Sequence, residues 1–322
     1  MGRNRIVNGA MQVDQRNNGA SVTTSDGSSP YMTDRWRLFT RVGASLSYFR
    51  NATEIGGTGS AFFSGVQVVS QKSPAATDQF RLAQSIEGLN VDDLNWGSTS
   101  AKTVTLSFWS CHSLTGTHSG SVYNADVSRS FVFEYTQNVA TTWEYKTVTI
   151  PGCVDGTWLR DTGIGIGVSF DYGTGSTFAT SSTNSWLSST ALRSIGSVTL
   201  VSTASAVLRI TCVQLEQGKA TPFERRSYGQ ELALCQRYFE TGGFFLVGAS
   251  VDIHNVGCQC SFNTTKRAAP SVVQTNIDAQ NVSATPKSSD ISTSGFLSFR
   301  LTTMSTAVRF QYKETWTSSA EL

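Results

Sequence analysis

Alternation of apolar and polar residues runs through most of the chain. The stretches 104–108, 131–135 and 164–170 each place an apolar side chain at nearly every second position. A period of two puts one face of a β-strand in a core and the other face in water. Gly-, Ser-, Thr- and Asn-rich turns separate these stretches, and residues 6–218 show no long helical period. The pattern predicts an all-β protein whose first domain is a jelly-roll sandwich.

A different pattern follows the turn-rich link at residues 216–222. Ser227 stands three residues before Gln230, which is the spacing of a helix capping box. We predict a connecting helix within the segment 223–243, ended by Gly242 and Gly243. Its apolar stripe must be covered by the sandwich or by symmetry mates, because a lone amphipathic helix is marginal in water. The residues of the stripe are Tyr228, Leu232, Cys235 and Phe239.

The period of two returns after the helix. It predicts that Leu297, Phe299 and Leu301 face a core, whereas Ser298 and Arg300 face outward. The organisation we predict is a jelly-roll domain with an N-terminal arm at 1–222, a connecting helix at 223–243 and a smaller C-terminal β domain at 244–322. A β unit of this size is marginal by itself and is expected to lean on a neighbour.

Composition narrows the possible partners. Charged residues make up 15% of the chain and the net charge is +2, so we expect no binding to nucleic acid. No apolar run approaches the roughly 20 residues that span a bilayer, so we expect no membrane insertion. The first residues lack the apolar core of a signal peptide, which favours assembly in a cytoplasm with reduced cysteines.

Motifs for catalysis are weak. His112 and His118 lie in a predicted loop, and no Gly-x-Ser-x-Gly elbow occurs. The glycines at 163, 165 and 167 lie inside an alternating strand and precede no helix, unlike a phosphate-binding loop. We therefore predict a protein that is not an enzyme and has no catalytic residues. A polysaccharide depolymerase stays open as an alternative, and it would need a pair of carboxylates in a groove.

Isolated aromatic residues are the main candidates for ligand binding. Trp96 and Trp186 are flanked by Asn, Gly and Ser, which suggests exposed loops, and Tyr123 ends the polar stretch 112–123. An exposed ring beside amide groups can stack on a sugar while the amides bind its hydroxyls. The alternative interpretation is that these rings pack within the loops or serve as anchors in a protein interface.

Several stretches resemble a known group of proteins. They are residues 4–16 (NRIVNGAMQVDQR), 31–36 (YMTDRW), 213–239, 266–270 (KRAAP) and 317–322 (TSSAEL). Together they resemble phage and prophage virion proteins that carry a carbohydrate-binding-module-like jelly roll. The join at 213–239 is the most specific of them, and it resembles the segment that closes the jelly roll and opens a helix.

This resemblance implies a tail-fibre, head-fibre or decoration component of a bacteriophage virion, assembled in the host cytoplasm and often a homotrimer. Its expected partners are other virion proteins and a host surface polysaccharide. The function we expect is an adhesin for host attachment; a purely architectural decoration or connector protein is the alternative. No cofactor is expected, although similar jelly rolls can hold a structural calcium, for which Asp14 and Glu216 are the candidates.

Overall fold

The computed structural model describes residues 2–51, 58–250, 253–303 and 308–322. By its contacts the chain divides into two compact units. Unit 1 comprises Met1–Glu231 together with Leu322, and unit 2 comprises Leu232–Glu321. Each unit is built almost entirely from β-strands, so the all-β prediction is confirmed.

The strands of unit 1 are short and are joined by turns, as the sequence predicts. They are β1 (Val22–Thr24), β2 (Arg37–Phe39), β3 (Ser45–Asn51), β4 (Phe63–Ser70), β5 (Arg81–Glu87), β6 (Val104–Ser110), β7 (Gly116–Tyr123), β8 (Ser130–Gln137), β9 (Glu144–Ile150), β10 (Ile164–Asp171), β11 (Ala179–Thr180), β12 (Trp186–Leu187), β13 (Arg193–Ser194) and β14 (Val207–Gln217). Short 3-10 helices occur at Gly88–Asn90, Asp92–Leu94, Ser176–Phe178 and Leu200–Ser202.

These strands form a jelly-roll sandwich. Within the described residues, sheet A has six strands in the order β1-β3-β4-β14-β6-β9, and sheet B has six in the order β12-β8-β7-β10-β5-β2. The pairings within both sheets are antiparallel, whereas β11 and β13 form a small parallel pair. Neighbours in a sheet are often distant in sequence, which is typical of a jelly roll rather than of a meander.

The core of unit 1 lies between the two sheets. Phe108 of sheet A packs edge-on against Phe170 of sheet B, with ring centroids 4.9 Å apart. Burial of each such ring contributes about 1.5–3 kcal/mol. The predicted core face is confirmed in three strands, whose core residues are Val104, Leu106, Phe108, Phe131, Phe133, Tyr135, Ile166, Val168 and Phe170. The opposite face was predicted to meet water, but Thr105, Val132 and Ser169 on it are buried as well.

Strand β14 changes phase in its middle. Cys212 has a φ of 50°, and the register with β6 shifts between Thr211 and Gln214. Such a bulge adds one residue and reverses which side chains face the core. The core positions are therefore Leu208, Ile210, Val213 and Leu215, rather than every second residue of the strand.

The helix is shorter than the predicted connector. Helix α1 spans Tyr228–Gln236, and its capping box is present, because the Gln230 N–H donates to Ser227 Oγ (3.4 Å) and the Ser227 N–H donates to Gln230 Oε1 (3.1 Å). Phe239 was wrongly placed on the helical stripe, since it begins a strand. Tyr228 is exposed, whereas Cys235 is fully buried and Leu232 is half-buried.

Gly242 and Gly243 do not end the helix. They lie within the first strand of unit 2, where a Cβ atom on Gly242 would stand 2.3 Å from the Trp316 ring. Glycine is required at this point because the tryptophan packs on the backbone. Pairing with the strand that carries Trp316 therefore overrides the helix-ending interpretation of this glycine pair.

Unit 2 pairs its strands in two small sheets. The strands are β15 (Phe239–Ser250), β16 (Asn255–Ser261), β17 (Ser271–Gln280), β18 (Lys287–Ser289), β19 (Gly295–Leu301) and β20 (Val308–Ser319). Within the described residues, one three-stranded sheet has the order β15-β20-β17 and the other has β16-β19-β18. Trp316, Phe262 and Phe296 pack as a cluster in the core, with centroid separations of 5.5–5.9 Å.

Strand β19 is turned opposite to our prediction. Ser298 and Arg300 are fully buried, whereas Leu301 is exposed. The reason is an ion pair, because Arg300 Nε lies 2.6 Å from Glu314 Oε1 and neither side chain is exposed. The second carboxylate oxygen of Glu314 accepts hydrogen bonds from Ser298 Oγ (3.0 Å) and from Gln274 Nε2 (2.8 Å). The buried charges are thus fully bonded, as a dry interior requires.

Removal of one partner of this ion pair should destabilise unit 2. Arg300→Met leaves the Glu314 carboxylate buried without its cation, and we expect the free energy of unfolding to fall by about 3–5 kcal/mol. The double variant Arg300→Met/Glu314→Gln should recover much of that loss. Urea unfolding of the three proteins measures both effects. Equal stability of the single variant and the wild type would show that the pair is not buried as described.

Candidate functional site

The outward face of sheet B is built from small residues. Gly167 and Ser169 of β10 alternate with core residues, and Ser121 of β7 lies beside them, with its Oγ 2.9 Å from Ser169 Oγ. A Cβ atom on Gly167 would stand 2.2 Å from the Tyr123 ring. The absence of a side chain at Gly167 therefore leaves room for the Tyr123 ring on this face.

The segment that follows β10 crosses the same face. The Ser194 N–H donates to Ser119 Oγ (3.1 Å), and Ser130 Oγ donates to Ser189 O (2.6 Å). The Val198 N–H donates to Thr117 O (2.8 Å). These bonds hold residues 189–198 against β7 and β8, so this part of the segment has a fixed shape.

A cavity of about 390 Å³ opens between this segment and Pro74. Its lining combines hydroxyl groups, backbone and apolar side chains: Pro74, Thr174, Gly175, Ser176, Ala179, Arg193, Ile195 and Thr199. Arg193 bonds the walls together, because it donates to Thr174 O (2.8 Å) and to Ser197 O (2.8 Å). Ile195 contributes an apolar surface that is 65% exposed. The cavity is therefore preformed, polar in its walls and apolar at its rim.

A buried carboxylate lies behind the wall. Asp171 Oδ1 accepts a hydrogen bond from the Thr174 N–H (2.7 Å), and Arg193 Nε lies 3.6 Å from Asp171 Oδ2. Burial raises the pKa of Asp171 to about 6, although the Arg193 charge opposes this shift. Asp171 thus helps to hold Arg193 in the cavity wall.

Two of the three aromatic residues predicted to bind a ligand, Trp96 and Tyr123, are buried. Trp96 is only 4% exposed, so its predicted exposure is wrong. Its ring packs edge-on against Trp158 (4.7 Å) and Trp186 (5.3 Å), and its Nε1–H donates to Lys102 O. Trp186 is half-buried and lies in β12, and Tyr123 is buried in β7 rather than exposed on a loop.

The polar neighbours of Trp96 have a conformational role instead. Asn95 has a φ of 55° and Gly97 a φ of 85°, both in the left-handed region that these residues adopt most readily. They turn the chain so that Trp96 points inward. Asn and Gly are common both in tight turns and in exposed loops. The Asn-Trp-Gly sequence therefore indicates a turn, but it does not show whether Trp96 is exposed.

His112 lies in the connection between β6 and β7, as predicted, whereas His118 lies in β7, and both side chains are buried. Their ring centroids lie 4.3 Å apart, and His112 Nε2 lies 2.9 Å from Tyr135 Oη. Burial lowers the pKa of both imidazoles, since the charged form loses its water, and the proximity of His118 adds to the effect on the pKa of His112. They are core residues of the sandwich.

Asp14 and Glu216 do not have the surroundings of a calcium site. The Glu216 carboxylate accepts hydrogen bonds from the Thr221 N–H (2.8 Å) and from Gln214 Nε2 (2.7 Å), and it lies 3.3 Å from Arg3 Nε. Asp14 accepts from the Gly19 N–H (2.8 Å). Among the described residues, no cluster of three or more His, Cys, Asp or Glu side chains could hold a metal. Calcium binding stays a prediction that these contacts do not favour.

Comparisons with known proteins give no family by sequence. No protein-family model matches the chain, and a comparison with curated proteins finds no match. In the part of the chain that is described, no helix is long and apolar enough to cross a membrane.

Solved structures give weak similarities. The enzymatically active domain of bacteriophage CBA120 tailspike protein 4 aligns over 67% of this chain at 10% identity with a TM-score of 0.34, and the chain spans only 22% of that protein. A putative sugar binding protein from Bacteroides thetaiotaomicron aligns over 67% of this chain and 100% of its own at 11% identity, with a TM-score of 0.36. A family 11 carbohydrate-binding module from Clostridium thermocellum, in complex with a β-1,3-1,4-mixed-linked tetrasaccharide, covers 62% of this chain and 96% of its own at 11% identity, with a TM-score of 0.28.

The buried histidines should make unit 1 sensitive to acid. Their folded pKa values lie below the unfolded value near 6.5, so the unfolded state binds more protons once the pH falls below that value. The free energy of unfolding should therefore fall by up to about 1.4 kcal/mol per pH unit for each imidazole. In His112→Gln that slope should be smaller.

Urea midpoints between pH 7.5 and 5.5 test this difference. Asp171, whose raised pKa gives a slope of the opposite sign, is present in both proteins, so its effect cancels in the comparison. Above pH 7.5 the difference in stability between the two proteins should not vary with pH. Identical slopes below pH 6.5 would contradict burial of the neutral imidazole.

Proposed function

We propose that the chain is a non-catalytic phage adhesin that binds a host surface glycan through the cavity of unit 1. The observation that carries the proposal is a preformed cavity of about 390 Å³ in a jelly-roll domain, within the size range of small-ligand sites. Its walls offer the groups that a sugar needs. Hydroxyl and backbone groups match sugar hydroxyls, and Pro74, Ala179 and Ile195 offer apolar surface to the C–H face of a ring.

Preorganisation supports binding at this place. Arg193 is held by bonds to Thr174 O and Ser197 O, so the cavity walls lose little freedom when a ligand binds. The virion assignment is supported by the resemblance at residues 213–239, and the expected partners are other virion proteins. Display of several copies on a particle would strengthen weak single-site binding, because later contacts become intramolecular.

A depolymerase is less well supported than a binding protein. Cleavage of a glycan needs two carboxylates on opposite sides of the bond. Among the described lining residues of the cavity there is no Asp or Glu. Asp171 lies behind the wall and is paired with Arg193.

A second observation favours contacts between protein chains. The sheet β15-β20-β17 exposes apolar side chains on its outer face: Phe245, Val247, Val273 and Ile277. Phe245 is 58% exposed, and it stands beside Lys313, which pairs in register with Asp278. Such a face combines apolar surface with charges of both signs, so copies of the same face can complement each other.

We propose that this face joins copies of the chain in the homotrimer. The strand β15 adds to the argument, because it is an edge strand of the sheet and carries no charged residue between 241 and 250. Soluble proteins rarely leave a long apolar edge uncovered. A purely architectural role would use the same face to contact other virion proteins instead.

The glycan proposal predicts a loss of binding when the rim of the cavity changes. Ile195→Asp places a charge on exposed apolar surface, so it should leave folding intact and weaken binding to host-surface polysaccharide about tenfold or more. Val154→Asp is the matched control, because Val154 is also exposed and lies outside the cavity lining. Calorimetric titration measures both proteins. The proposal would be contradicted if both variants weakened polysaccharide binding equally, or if neither variant weakened it.

The trimer proposal predicts a change in mass. Light scattering of the wild type should give three times the chain mass of 34.7 kDa, and Phe245→Ser/Val247→Thr should lower it. Val69→Thr, at an exposed position of unit 1, should leave the mass unchanged. A wild-type monomer at micromolar concentration would contradict the proposal.

A further inference from the structure

Arginines and aromatic rings alternate along one edge of sheet B. Arg37 and Phe39 are two residues apart in the edge strand β2, so they share its outer face, and Phe39 pairs in register with Arg81 of β5. The Arg37 guanidinium carbon lies 4.7 Å from the centroid of the Phe39 ring, and that of Arg81 lies 3.7 Å from it. Arg37 also lies 5.7 Å from the Tyr31 ring, and Arg81 lies 5.3 Å from the Tyr123 ring.

These two guanidinium groups lack carboxylate partners within the described part of the chain. Arg37 Nε donates to Ser29 O (2.8 Å), whereas its Nη1 and Nη2 atoms donate no hydrogen bond to any described residue. Arg81 donates to Gln79 Oε1 and to Tyr123 Oη, which are neutral groups. Arg81 is only 7% exposed. Neither of these two partly buried guanidinium groups therefore has an ion pair with a described carboxylate, since Asp171, which stands opposite Arg81 in register, pairs with Arg193 instead.

Packing alone explains this arrangement poorly. Cation–π contacts are weaker than a bidentate bond to a carboxylate, and removal of a cation from water is unfavourable unless an anion compensates it. Two buried cations elsewhere in the protein do have anions, because Arg300 pairs with Glu314 and Lys266 pairs with Glu240. The arrangement of Arg37, Phe39 and Arg81 differs from these pairs. The half-buried Arg37 has two Nη atoms that donate no hydrogen bond to a described residue.

We propose that Arg37 binds the carboxylate of an acidic sugar residue, with Phe39 and Arg81 as positioning residues that fix the plane of its guanidinium. This inference rests on the proposed glycan-binding function and names the class of glycan as a polyuronide-type acidic polysaccharide. The two Nη atoms of a guanidinium match the two oxygens of a carboxylate. Arg81 adds positive charge that favours the anion. The arrangement is also near the cavity, since Arg81 pairs in register with Asp171, which lies 3.6 Å from Arg193 of the cavity wall.

Three probes separate a carboxylate from other ligands. Polygalacturonate carries a carboxylate on each sugar, methyl-esterified polygalacturonate has the same backbone without the charge, and dextran sulfate carries a different anion. We expect the wild type to bind polygalacturonate most tightly. Arg37→Gln should weaken that binding about tenfold or more, and Arg37→Lys should weaken it less because it keeps the charge.

Arg160→Gln is the control for general electrostatic attraction. Arg160 is an exposed arginine of the same unit that pairs with Asp92, so its replacement removes the same charge elsewhere. Calorimetric titration gives the affinities, and circular dichroism shows that each variant is folded. Equal weakening by Arg160→Gln and Arg37→Gln, equal affinity for dextran sulfate, or no binding of polygalacturonate would overturn the inference.

The outcomes also separate this inference from the cavity proposal. Glycan binding that depends on Ile195 but not on Arg37 would leave the cavity proposal standing and overturn the acidic subsite. Binding of polygalacturonate that depends on Arg37 but not on Ile195 would support the subsite and contradict the cavity.

Discussion

Burial of both faces of sheet B is the constraint on which the rest of unit 1 depends. The inner face packs on sheet A through rings such as Phe108 and Phe170. On the outer face, Gly167 and Ser121 leave room for the Tyr123 ring and for residues 189–198, which lie close against the sheet. A chain segment that is held this way can surround a cavity without being mobile, which is what a binding site needs.

Much of this architecture follows from the sequence, because a period of two in short apolar stretches indicates which face of a strand packs in the core. The core residues of β6, β8 and β10 were predictable for that reason. The spacing of Ser227 and Gln230 predicts a capping box, which is a local interaction, and the structure contains it. Local patterns succeed where the interaction that forms the structure is itself local.

The failures come from interactions between distant residues. The bulge at Cys212 reverses the phase of β14, and Arg300 turns inward because Glu314, on another strand, pairs with it. Phe239 joins a strand because β20 pairs with it, although its position fits a helical stripe. Trp96 is buried by Trp158 and Trp186, which no spacing in the sequence brings together. The cavity could not be predicted either, since residues 74, 174–179 and 193–199 meet only through the sheet.

The central claim is that a glycan occupies the open cavity that residues 174–179, residues 193–199 and Pro74 line. Hydrogen–deuterium exchange of the protein, with and without saturating host surface polysaccharide, tests it most directly, because exchange reports each backbone segment separately. The account predicts slower exchange with the polysaccharide at residues 174–179 and 193–199, and unchanged exchange in the sheet β16-β19-β18 of unit 2. Unchanged exchange at residues 174–179 and 193–199, with slower exchange only in unit 2, would contradict the claim that the glycan occupies the cavity.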